Sequence, residues 1–285
     1  MGAPGDRPGA RGEWEMVQTK AQKDVELDVK PLDEGMIACA ILGTSPIILY
    51  RMSEKGAREL LFPAGRKTVA DRAATMKHDP IAEFKSSPYT RDFGETYLTH
   101  LGTAFKGAIS GAAIDMPGAN KAQIGRLLQV EDEFVPIYGI PKLHMAIVRS
   151  ADINHTPDVR TRCVVPEWAS YITISFVRPL LNEQTVATLL HAAGIIQGVG
   201  DFRPGKGKGT YGRFRIVRTN DPDWVRITKG SSPEMQRQAM KDAVPYNAEA
   251  AELLAWFKEA KIRRNKAPSA AEVVEQAEAS GIEST

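Results

Sequence analysis

Two rhythms of apolar and polar residues run along this chain. Between Tyr171 and Arg178, Ile172, Ile174 and Phe176 alternate with Thr173 and Ser175, the period of two that marks a half-buried strand. A short apolar run from Met36 to Leu42 reads as the first strand, ended by the breaker cluster Gly43-Thr44-Ser45-Pro46, and Ile47 to Tyr50 continues apolar. Further strands are predicted over Gln129 to Tyr138, Leu143 to Arg149, Val159 to Val165 and Tyr211 to Val217. Spacings of three and four predict the helices. Ser53 caps a short one that reaches Leu61 and stops at Phe62-Pro63, and Thr103 caps one carrying Phe105, Ala108, Ile109 and Ala112. Asn120 opens a third, to about Leu128. Asn182 opens a fourth, whose buried face is Val186, Leu189, Leu190 and Ala193 and whose stop is Gly194. Beyond Ser231 the chain is helical, chiefly Ala248 to Ile262 and Ala270 to Ala279.

Strand, helix, strands, helix, strand is the order of an RRM-like, ferredoxin-like split βαβ core, so the expected class is α+β. Residues 1–30 read as a disordered tail and 31–220 as the nucleic-acid-binding domain, with an insertion of loops and short helices over about 62–100. Residues 231–285 read as a helical C-terminal appendage. The alternating βαβα pattern of a doubly wound sheet is missing, and so are internal repeats and heptads.

Composition narrows the chemistry. The 285 residues are 42% hydrophobic and 25% charged, ordinary values for a globular protein with a real core. The formal net charge is only +2, from 37 Lys+Arg against 35 Asp+Glu, so any affinity for nucleic acid must come from a local basic surface. Cys39 and Cys163 form neither a zinc spacing nor a disulfide framework, which fits a reducing compartment. With no apolar run long enough to span a bilayer, a cytoplasmic location is expected, without membrane, metal or cofactor.

The densest local signal is the stretch from Gly194 to Arg215, where glycines at 198, 200, 205, 207, 209 and 212 alternate with Arg203, Lys206, Lys208, Arg213 and Arg215. Glycines allow close backbone approach to a phosphate, and clustered cations neutralise it and release counterions. Two nucleotide motifs inside the stretch fail on context. Gly200 to Lys206 spells GxxxxGK but is followed by Gly207 where Ser or Thr is needed, and Gly207 to Gly212 spells GxGxxG after a helix and before a strand. Arg149, Arg160 and Arg162 fall on two strands that pair as a hairpin, and Lys106 on the first turn of the Thr103 helix. If their sheet face also carries Tyr171, Tyr211 or Phe214, the set forms a stacking platform with a basic rim. The expected interface is therefore Lys106, Arg149, Arg160, Arg162, Gly200, Arg203, Lys206, Gly207, Lys208, Gly209, Tyr211, Arg213 and Arg215, with no catalytic residue. An alternative is a metal-independent endoribonuclease using His144 or His155, which flank the basic strands.

The residues Gly198 to Phe214, a helix-to-strand glycine-rich loop, and Phe105-Lys106-Gly107-Ala108-Ile109 resemble the two signatures of the RAMP superfamily. These are RRM-like backbone subunits of CRISPR effector complexes, and the resemblance covers about residues 36–218. It implies a non-catalytic protein assembled in several copies along a guide RNA, with effector subunits as partners and with Lys106 and the 198–215 loop near the sugar-phosphate backbone. The segments Ile41 to Lys55, His78 to Tyr89 and Ala193 to Phe214 also resemble an uncharacterised bacteriophage family, which implies a single-stranded DNA binding or annealing role beside phage recombination proteins.

Overall fold

The computed structural model describes residues 31–62, 78–149 and 156–266. In chain order the elements are β1 (Asp33–Gly43), β2 (Ile47–Leu49), α1 (Glu54–Leu61), α2 (Pro80–Ser86), β3 (Tyr89–Thr90), β4 (Leu98–Leu101), α3 (Gly102–Ala112), α4 (Lys121–Leu127) and β5 (Leu128–Val130). There follow β6 (Phe134–Pro136), β7 (Lys142–Arg149), β8 (Pro157–Val165), β9 (Ala169–Arg178), α5 (Glu183–Ala192), β10 (Phe214–Val217), α6 (Pro222–Lys229), α7 (Pro233–Asp242) and α8 (Ala248–Lys266).

The main sheet has the spatial order β10-β1-β9-β5, every neighbour antiparallel. Taken with α3 and α5, its strands run β1-α3-β5-β9-α5-β10 along the chain, so they lie in the order fourth, first, third, second. That is the split βαβ arrangement of the α+β class expected from the sequence. Pairing of Ile37 with Ile174 and of Cys39 with Ile172 aligns the apolar alternations of β1 and β9 on one face. Phe105 and Ile109 of α3 and Val186, Leu189 and Leu190 of α5 join that face in the core. Full burial of each such side chain stabilises the fold by about 1.5–3 kcal/mol.

Two smaller sheets flank it, β2-β8-β7 and β3-β4-β6. Both outer edges of β2-β8-β7 are covered: Asp201 bridges Ile48 on one side and Pro245 bridges Leu143 on the other. Each edge is thereby paired in part. The C-terminal helices share the core, where Met240, Ala250 and Leu254 are buried. The fully buried Gln236 amide accepts from the N–H groups of Tyr97 and Leu98 and donates to the carbonyls of Ile137 and Gly139. All four of its hydrogen-bonding positions are filled. Among the described residues, no helix is long and apolar enough to cross a membrane.

Several expectations need correction. Thr103 does not cap α3. The cap is Leu101 and the helix starts two residues earlier, at Gly102, where a Cβ would stand 2.0 Å from the Asp132 carbonyl oxygen, so close backbone approach sets the start. Gly194 does not end α5 either. It packs under β10, with the Phe214 carbonyl 2.2 Å from where a Cβ would be, and the chain continues as a wider turn until Gly198 at φ 64°. The segment 129–138 is two strands in different sheets. The last strand begins at Phe214, because Gly212 at φ 71° bends the chain before it. The insertion contains β3 and β4 as well as a helix. The tail 1–30 and the helix expected over 270–279 lie outside the described residues. Caps at Ser53, Asn120 and Asn182 form as expected.

Candidate nucleic-acid interface

The glycine-rich loop runs from the end of the turn after α5 to β10 and lies along β2. Its path is fixed by hydrogen bonds from Asp201 N–H to Ile48 O, from Gly212 N–H to Pro46 O and from Val199 N–H to Gly212 O. The glycines serve this path first. A Cβ would stand 2.6 Å from Ile48 O at Gly200, 1.8 Å from Phe202 O at Gly209 and 1.7 Å from Val199 O at Gly212. Gly207, at φ 96°, differs in having nothing within 4 Å of a Cβ. Thus Gly200 and Gly209 lack side chains because the protein's own backbone fills the space, whereas Gly207 faces an open surface. The N–H groups of Lys208, Gly209 and Thr210 have no hydrogen-bond partner among the described residues.

The cations divide into three groups. Arg215 is paired with Asp221 at 3.1 Å, and Arg203 donates to the Gly200 carbonyl at 2.9 Å. Arg162 and Lys206 share Asp201, at 3.6 and 3.7 Å, contacts longer than a hydrogen bond. Arg160, Lys208, Arg213 and Arg149 are exposed and have no ion pair among the described residues. Of the thirteen expected residues, contacts join Arg162 to Lys206 through Asp201 and bring Tyr211 against His144, the cross-strand partner of Arg162. Cross-strand pairing of Ala146 with Arg160 and of His144 with Arg162 places those residues on one face of β7-β8, with Lys142. Arg149 pairs with Pro157 and falls on the opposite face. Lys106 sits at the far edge of the main sheet, where it donates to Gln129 of β5 at 2.7 Å.

Aromatic rings accompany the cations. Tyr246, His144, Tyr211 and Phe202 form a row with successive centroid distances of 5.8, 6.3 and 6.1 Å. The Arg162 guanidinium lies 3.9 Å from the centroid of Tyr50. Phe202 is 52% exposed and holds φ 50°, a left-handed conformation unusual for an aromatic residue. Of the three aromatics considered from the sequence, Tyr211 alone joins this face. Phe214 is buried in the core, and Tyr171 lies on the main sheet.

No family model and no curated protein matches this chain. Solved structures are similar to it, among them the following two. The crystal structure of Cmr6 from Pyrococcus furiosus is 11% identical with a TM-score of 0.34, covering 65% of this chain and 98% of that one. The cryo-electron-microscopy structure of a Type III-B Cmr-beta complex bound to cognate target RNA is 12% identical with a TM-score of 0.32, covering 65% of this chain and 59% of that one. The likeness is too low to bear on function, and the split βαβ assignment rests on strand order. The bacteriophage resemblance, the single-stranded DNA role and a filament gain no support from these comparisons.

Burial sets the titrations around the site. It pushes the His144 imidazole below its ordinary value, aided by Arg162 and opposed by Glu249, and the His144 Nδ1 is buried without a hydrogen-bond partner among the described residues. Burial likewise lowers Arg162, opposed by Tyr50 and Asp201. Tyr211 is raised by burial and by Tyr246. Further in, His100 is held down to about 4 by burial and by the Arg203 charge. His155 lies outside the described residues.

Sequence reasoning missed Tyr50, Lys142, Phe202 and Tyr246. Lys142 was legible, because it continues the alternation of His144 and Ala146 along β7. Tyr246 was not: it joins the row only because its N–H pairs with the Leu143 carbonyl.

Proposed function

We propose that this chain binds a single strand of RNA along the face formed by the glycine-rich loop and β8, and does not cut it. The observation that carries this is the row from Phe202 to Tyr246, with Arg162 and Lys206 held next to it through Asp201 and with Arg160, Lys208 and Arg213 exposed on the same strand and loop. Rings that can stack bases next to cations that can neutralise phosphates are the two parts a single-strand site needs. Sequence preference on this face is slight, since its donors are suited to phosphates. The resemblance of Phe105-Lys106-Gly107-Ala108-Ile109 and of 198–214 to the RAMP signatures supports a place as one backbone subunit among several copies along a guide strand. Non-catalysis accords with His144, whose imidazole is wedged between Tyr211 and Tyr246.

The test is electrophoretic mobility shift at low salt with labelled single-stranded RNA, single-stranded DNA and duplex, followed by denaturing electrophoresis of the RNA with and without EDTA. Shifted, uncut RNA that outcompetes duplex is expected. No shift would refute binding, and cleaved RNA lost on His144→Ala would replace this reading with the nuclease one.

A further inference from the structure

A second aromatic site lies away from the basic face, where β3-β4-β6 meets the main sheet. A cavity of about 310 Å³ opens there, lined among others by Arg91, Phe93, Phe134, Tyr171, Glu95 and Asp132. Its size falls at the low end of ordinary ligand pockets, roughly 300–1,000 Å³. The loop between β3 and β4 is held in place: Arg91 N–H donates to Tyr97 O at 3.0 Å, Arg237 donates to the Asp92 carbonyl at 3.1 Å, and Tyr138 donates to Glu95. On this loop the Arg91 guanidinium lies 4.2 Å from the Phe93 centroid and 5.4 Å from that of Phe134. Phe93 is nonetheless 70% exposed and Tyr171 38% exposed, so a fixed loop presents rings to solvent.

The geometry points to this cavity as a subsite for one unstacked nucleobase bearing an exocyclic amine, an inference that rests on the single-strand reading above. Flat rings at the mouth and a guanidinium plane stacked on one of them suit a π-face. The charges select the base over the phosphate. The lining holds one cation and two carboxylates, a net charge that disfavours an anion, while carboxylate oxygens accept from amino groups such as N4 of cytosine. Uracil offers an acceptor, O4, at the same position and meets repulsion. Lys106, which fits poorly with the basic face, stands at this edge of the sheet through Gln129, whose partner Ser175 is two residues from Thr173 in the cavity wall. It would take a phosphate next to the bound base.

Fluorescence anisotropy with short labelled cytidine and uridine RNA oligomers tests this. The wild-type protein is expected to bind the cytidine oligomer roughly ten-fold more tightly. Asp132→Asn should remove most of that preference, weakening cytidine binding and, with the repulsion of O4 relieved, strengthening uridine binding. Phe93→Ala, an exposed loop change that does not threaten folding, should weaken both roughly ten-fold without altering the salt dependence, because no phosphate contact is lost. Equal binding of the two oligomers, or variants that match wild type, would overturn the subsite while leaving the basic face standing. Failure of the wild type to bind either oligomer would overturn both.

Discussion

The Arg162 guanidinium carbon lies 3.9 Å from the centre of the Tyr50 ring. Arg162 is thus clamped between an aromatic face on β2's flank and Asp201 of the loop, 3.6 Å away, and Asp201 also holds Lys206. One carboxylate therefore restrains two cations of the proposed interface. Asp201→Asn keeps an oxygen for the Phe202 N–H, which now donates to Asp201 Oδ1 at 2.9 Å, and removes the charge. RNA affinity at low salt should rise several-fold, with a salt slope steeper by roughly 0.7 for each cation freed. Weaker binding by Asp201→Asn in a titration would show that the carboxylate orders the cations instead of competing with phosphate.

Phe202 combines exposure with a left-handed backbone at φ 50°. Such a conformation costs a non-glycine residue about 1–2 kcal/mol, and its retention for an exposed ring makes sense if the ring has work outside the fold. Phe202→Gly should therefore keep or raise the melting temperature while weakening RNA binding roughly ten-fold, the stacking loss of one base. A large drop in melting temperature would assign the ring to packing against Tyr211 and remove it from the interface.

His100 is buried, held down to about 4, and its Nε2 has no hydrogen-bond partner among the described residues. Its folded-state value lies below the ordinary 6.5, so the unfolded chain binds the proton more readily. The contribution is fully present above about pH 6.5 and is lost as pH falls from there towards 4, on the order of 3 kcal/mol in all. His144 acts in the same direction. Urea unfolding of wild type and His100→Asn across this range should show a shallower pH dependence in the variant, and parallel curves would contradict the assignment.

The fold was legible in the sequence because the apolar alternation of β1 and β9 and the faces of α3 and α5 are local patterns whose order specifies the sheet. What was not legible came from contacts between distant segments. Gly102 and Gly194 look like ordinary helix signals until the Asp132 and Phe214 carbonyls are seen against them. In the loop, the glycines read as phosphate contacts, yet Gly200 and Gly209 are required by crossing backbone. Charge counting placed Arg203 and Arg215 with the free cations, although a carbonyl and Asp221 already engage them. Arg149 was lost to strand parity, since a residue an odd number of positions from His144 faces the other way.

In the proposed complex Arg160, Lys208 and Arg213, exposed and without ion pairs among the described residues, contact phosphates. The most direct measurement is the salt dependence of RNA affinity for wild type and for the combined Arg160→Gln, Lys208→Gln, Arg213→Gln variant. The plot of log affinity against log salt should flatten by roughly 0.7 per residue, about 2 in total, with equal weakening across RNA sequences. An unchanged slope would contradict the account, because it would place the strand elsewhere on the molecule.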